Sequence, residues 1–228
     1  MKNYLVFGAN GSIGKEIVSQ LNVHGNLVIA STRGKNEELL EKGVLVDVIE
    51  DVSNRETLET YSRHLSALYN NFDGIVYSVG HCPPNGFPDA IRYPLSQLPL
   101  QKYMDEVNMH QIGVLNVFQC TIKNLKDGGS FVFISSAITR LKGQFPAFLQ
   151  AHHHASVISA EDWLIDGMRH DPTVTNRKIK IHRIAPAAVS TSFHESGPKP
   201  PKLIPVETVV HEVLDALESE TVVDKQLL

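Results

Sequence analysis

The chain has 228 residues, 42% of them hydrophobic and 20% charged, with 21 Lys and Arg against 25 Asp and Glu for a net charge of −4. These proportions fit one soluble globular domain and exclude disordered, collagenous and coiled-coil chains. A pI near 6.2 speaks against a general nucleic-acid or anionic-membrane binder, which needs a basic excess. Cys82 and Cys120 form no disulfide or zinc pattern. No apolar run approaches the roughly 18 residues of a membrane span, and glycines break the start too early for a signal peptide. A cytoplasmic location is the expectation.

In chain order, short apolar runs alternate with amphipathic segments, the pattern of parallel βαβ units. Strands are predicted at Tyr4–Phe7, Leu27–Ser31, Val44–Val48, Gly74–Ser78, Ser130–Ser135 and Lys178–Ile184. Helices are predicted at Ser12–His24, Asn36–Lys42, Arg55–Asn70, Leu100–Asn124, Phe148–Met168 and Pro205–Ser219. Asp127-Gly128-Gly129 reads as a turn before the fifth strand, and the Pro-rich segments 82–99 and 194–205 read as loops, the second a candidate substrate lid. The expected fold is α/β, one doubly wound parallel sheet of the Rossmann type in a three-layer α/β/α sandwich, spanning 1–228 as a single domain.

Gly8-Ala9-Asn10-Gly11-Ser12-Ile13-Gly14 follows the first strand and opens the first helix. Glycine there permits a tight turn and close approach of a pyrophosphate, while the helix N-terminus offers free N–H groups. A dinucleotide is the expected ligand. The second strand ends in Ser31-Thr32-Arg33-Gly34-Lys35, with no acid to take a ribose 2′-hydroxyl and with Arg33 placed to grip a 2′-phosphate. NADP(H) is therefore preferred over NAD(H).

With these residues the chain resembles the short-chain dehydrogenase/reductase family over nearly its whole length. Asp51-Val52 matches the family's adenine contact, Val76-Tyr77-Ser78-Val79-Gly80 its N-N-A-G segment, and Asn108 its helical Asn. Ile134-Ser135-Ser136 matches the run carrying the catalytic Ser, with Ser136 the better fit. Pro186 to Thr191, including Val189, resembles the segment lining the nicotinamide. The resemblance thus implies cofactor contacts at Gly8, Asn10, Gly11, Ser12, Ile13, Gly14, Thr32, Arg33, Asp51, Val52, Ser78, Gly80, Pro186, Val189 and Thr191. It also implies a homodimer or homotetramer built on the helices at 100–124 and 148–168.

The family's acid, a Tyr four residues before a Lys, has no counterpart, since none of the six tyrosines has Lys four positions later. The aligned segment reads Gln150-Ala151-His152-His153-His154, placing Gln150 at the Tyr and His154 at the Lys. Gln has no proton to exchange near neutrality, whereas His does. Consecutive helical residues point about 100° apart, so three adjacent histidines cannot share one site. His154 is the first candidate for the acid or relay and His153 the second, with His152 turned to solvent or an interface. His81, at the end of the fourth strand, is a further candidate. The catalytic set is Ser136, His154, His153, Gln150 and Asn108, with no metal, and the expected activity is NADPH-dependent reduction of a carbonyl or activated double bond of a small molecule. Two alternatives stand beside it: an inactive NADP(H)-binding sensor or scaffold, and a dinucleotide-dependent isomerase or dehydratase.

Overall fold

The computed structural model describes residues 1–69, 71–80, 93–140, 151–194 and 202–228. Seven parallel strands lie in the order β3-β2-β1-β4-β5-β6-β7: β1 Asn3–Phe7, β2 Leu27–Thr32, β3 Leu45–Val48, β4 Phe72–Tyr77, β5 Leu125–Ile134, β6 Lys180–Pro186 and β7 Asp224–Leu227. The helices are α1 Ser12–Val23, α2 Glu37–Glu41, α3 Arg55–Leu68, α4 Leu100–Val107, α5 Val114–Thr121, α6 His152–Arg169, α7 Pro172–Asn176 and α8 Val206–Glu218. Among the described residues none of them is long and apolar enough to cross a membrane.

Alternate residues of β1 enter different cores because side chains alternate across a strand. Leu5 and Phe7 pack with Leu58 and Leu65 of α3, Val114 and Val117 of α5 and Ile165 of α6. Tyr4 and Val6 pack with Ile17 and Val18 of α1 and Val209 and Val213 of α8. Both faces are dry, which is why the central strands read as nearly unbroken apolar runs. From β1 the chain builds outward through β2 and β3, then returns to β1's other side with β4. The strand order reverses there, and in such sheets the crevice at the strands' C-terminal ends takes the ligand.

Four features depart from the sequence expectation. Asp127-Gly128-Gly129 lies inside β5 as an irregularity rather than before it: Phe72 pairs with Leu125 and Gly74 with Ser130, and Gly128 takes up the extra length at φ +73°. The short helix α7 was not expected. Neither was β7, whose Asp-Lys-Gln-Leu lacks an apolar pattern because it is an edge strand. Ion pairs position it instead: the Arg183 guanidinium holds both carboxylate oxygens of Asp224 at 2.9 Å, and Arg169 adds a further bond at 2.8 Å.

The fourth departure concerns 100–124, which is not one regular helix. Asn108–Gly113 forms a π-helical turn between α4 and α5, and Ile122–Asn124 ends in a 3₁₀ turn. Tyr77, fully buried, donates its hydroxyl to the Met109 carbonyl at 2.6 Å. In an α-helix that carbonyl would accept from the N–H of Gly113, four residues on. Gly113 has no side chain to obstruct the contact, since a Cβ there would meet the Tyr77 hydroxyl and Val52. Tyr77 thus binds a carbonyl inside the widened turn.

Candidate active site

A cleft of about 550 Å³ opens at the C-terminal ends of β1, β4, β5 and β6. One wall is the glycine loop, from Gly8, Asn10, Gly11, Ser12 and Ile13. Gly8 takes φ +78°, and a Cβ on it would collide with the Ser78 carbonyl. A Cβ on Gly14 would collide in turn with the Gly8 carbonyl, so Gly14 lets α1 close on β1 without lining the cleft. No side chain caps α1, whose first-turn N–H groups are left for a ligand beside the loop.

Arg33 lines the same end. Thr32 does not; its hydroxyl donates to the Gly34 carbonyl at 2.6 Å and shapes the turn that presents Arg33. Asn10 lies in this wall, and Asn36 donates to its side-chain oxygen at 2.6 Å. Asp51 accepts from the backbone and hydroxyl of Ser53, and Val52 packs beneath Gly113; neither lines the cleft. Ser78, Val79 and Gly80 continue the floor from β4, and Pro186 to Val189 with Thr191 form the opposite wall.

Deeper in, Ser135 and Ser136 follow β5, and both line the cleft. Ser135 donates its hydroxyl to Asp162 of α6 at 2.8 Å. The Ser136 hydroxyl oxygen accepts the Ile138 N–H at 3.3 Å, which leaves its proton to be offered to a ligand. His154 lines the same cleft, and its Nδ1 lies 2.9 Å from Oε2 of Glu106 on α4. His153 is buried behind, its Nε2 3.2 Å from the other oxygen of Glu106 in an ion-pair contact without hydrogen-bond alignment. Burial would raise the Glu106 carboxyl, but the two imidazoles hold it well below the usual carboxylate range. His152 is exposed.

A family model described as short chain dehydrogenase matches residues 2–200. The chain belongs to that family. No curated protein is matched. Among solved structures, a short-chain dehydrogenase/reductase from Serratia marcescens superposes with a TM-score of 0.78 at 19% identity, covering 99% of this chain and 96% of the other. One from Mycobacterium ulcerans gives 0.77 at 19%, covering 99% and 88%. A short chain dehydrogenase from Burkholderia cenocepacia, solved in complex with NADP, gives 0.75 at 19%, covering 98% and 89%. At these identities the likeness shows the fold, and the family match marks the chain as an oxidoreductase of the kind that binds a nicotinamide dinucleotide.

This short-chain dehydrogenase has features that fit such a dinucleotide: a loop closed by the bare Gly8, a helix N-terminus without a side-chain cap, and a Gly80 where a Cβ would meet none of the described residues within 4 Å. Its catalytic corner is different, for among the described residues no Tyr and no Lys lines the cleft. Tyr77 comes near in the fold, yet it is buried and committed to Met109, and burial with the charges of Glu161 and Asp51 pushes its hydroxyl far above its ordinary value. Of the expected catalytic residues, Ser136 and His154 both line the cleft, whereas His153 and Asn108 do not. Gln150 and His81 lie outside the described residues, as does most of the expected lid. Glu106, His110, Glu161 and His194 are what sequence reasoning missed. Glu106 and His110 stand four apart, and His154 and Glu161 seven apart, so each pair shares a helix face; that spacing was the available signal.

Proposed function

We propose that this protein is an NADP(H)-dependent oxidoreductase that reduces a carbonyl or activated double bond of a small organic substrate, with a Glu106-held histidine, His154, in place of the family's Tyr and Lys. The observation that carries the reading is His154 on the cleft wall with its Nδ1 tied to a buried carboxylate. The bound dinucleotide supplies the hydride. Ser136 offers its hydroxyl proton to the substrate oxygen and stabilises the charge that develops there. Glu106 accepts from Nδ1–H and holds the ring, and the Nε2–H of the His154 imidazolium is the proton delivered to that oxygen; the N–H bond breaks as the O–H bond forms and the imidazole is left neutral. Arg33, at the far end of the cleft, supports the preference for a 2′-phosphate.

The protein acts as a single domain in the cytoplasm. Exposed Trp163 on α6, beside Leu115 and Phe118 of α5, supports a homodimer or homotetramer formed through these helices.

The test is NADPH oxidation against a broad panel of carbonyls and activated alkenes. Turnover that falls about 10²- to 10⁴-fold in His154→Gln, with NADPH binding retained, is the expected result. NADPH binding without oxidation by any substrate would instead favour a nucleotide-binding sensor, a reading supported by the absence of Tyr and Lys from the described lining of the cleft. Substrate conversion without net NADPH loss would indicate an isomerase or dehydratase.

A further inference from the structure

Beside His154 lies a second carboxylate–imidazole pair that the steps above leave unused. His110, in the π-helical turn, is only 5% exposed; its Nδ1 lies 2.8 Å from Oε2 of Glu161, which is fully buried on α6. Its Nε2 is buried with no hydrogen-bond partner among the described residues. A native protein seldom leaves such an atom without a functional or structural reason. The rings of His110 and His154 meet edge to face, with centroids 5.5 Å apart and planes at 73°.

The two pairs are built reciprocally. Glu106 and His110 come from α4 and the turn after it, and His154 and Glu161 come from α6, so each helix supplies one carboxylate and one imidazole. The ionisable groups that act on His110 among the described residues are Glu106 from α4 and His154 and Glu161 from α6. Burial alone would strip an imidazole of its proton. At His110 the charge and hydrogen bond of Glu161, with Glu106 behind, outweigh burial and raise its affinity for the proton.

We propose that His110 is a positioning residue and the second proton-carrying group of this site, coupled to His154 so that the pair sets the pH at which a proton is released to substrate. The proposal rests on the reading of His154 as the donor. Two imidazoles in ring contact do not titrate independently, because a proton on one disfavours a proton on the other. No electrons move and no bond other than N–H is made or broken. The unprotonated reductase cleft and the protonated one differ by a charge shared over both rings.

The test has two arms. In the first, the His110 ring resonances are followed by NMR against pH in the full protein without substrate. Glu161→Gln is expected to lower the His110 midpoint by about one pH unit or more, and His154→Gln to raise it by a similar amount. Three identical midpoints would overturn the proposal. In the second arm, His110→Gln is expected to move the alkaline limb of the NADPH-oxidation pH profile upward by about one unit, with the NADPH dissociation constant unchanged. An unmoved limb would overturn the proposal as well. A protein that oxidises NADPH with no substrate fails the reductase reading alone, since the titration arm still decides the coupling.

Discussion

Arg33 and Thr32 are neighbours with different duties, one in the cleft and one binding its own turn. A charge-assisted contact to a 2′-phosphate contributes about 1.5–3 kcal/mol, so Arg33→Ala should weaken NADPH roughly 10- to 100-fold while sparing NADH. Equal losses in a fluorescence titration would remove Arg33 from that role. The adjacent serines divide in the same way. Ser136→Ala should depress turnover with little change in thermal stability. Ser135→Ala should cost about 1 kcal/mol of stability through its bond to Asp162 and leave the kinetics nearly intact. Thermal melts run beside initial rates separate the two. That Ser136 and His154 line the cleft was legible because they fall where the family writes its motif. Glu106 was not, for its partner lies 48 residues away and no local spacing joins them.

Regular elements were read well where both faces of the sheet are covered, as in β1, β2 and β4, whose apolar runs report burial directly. Elements held by polar contacts were missed: β7 depends on Arg183 and Arg169, and the π turn has a carbonyl bound by one tyrosine hydroxyl. Tyr77→Phe should return the Met109 carbonyl to the helix ladder. The expected outcome is a changed rate of hydrogen exchange at the Gly113 amide, whose acceptor would move from the Asn108 carbonyl to that of Met109, and a stability change on the order of 1 kcal/mol. Exchange unchanged at Gly113 would mean that Tyr77 does not maintain the turn. Because that turn carries His110, the same variant should also disturb the pairing with Glu161.

Across the whole molecule, acid should act on stability through His182. This residue is fully buried on β6 and accepts the Val223 N–H through Nδ1 at 3.0 Å, which only the unprotonated nitrogen can do. Burial, with the charges of Lys180 and Arg169, pulls its pKa from 6.5 down to about 4. Between those values the unfolded chain binds the extra proton and the native one does not. Stability therefore falls as pH drops from about 6.5 to 4, by up to roughly 3 kcal/mol from this group. Urea unfolding at stepped pH measures it, and His182→Gln, able to accept the same N–H, should flatten the slope in that window. An unchanged slope would place the acid sensitivity elsewhere. The pairing of α1 with α8 has a different kind of consequence. Ile17 and Val18 behind the glycine loop share a core with Val209 and Val213, and Tyr4 donates to Glu218 at 2.9 Å. The first helix and the last are thus two sides of one packing unit, separated by most of the chain. During synthesis the glycine loop and α1 can settle on β1 and β2, but the side of α1 that packs on α8 stays uncovered until that helix is made, so the support behind the dinucleotide pocket is completed late although its motif is made early.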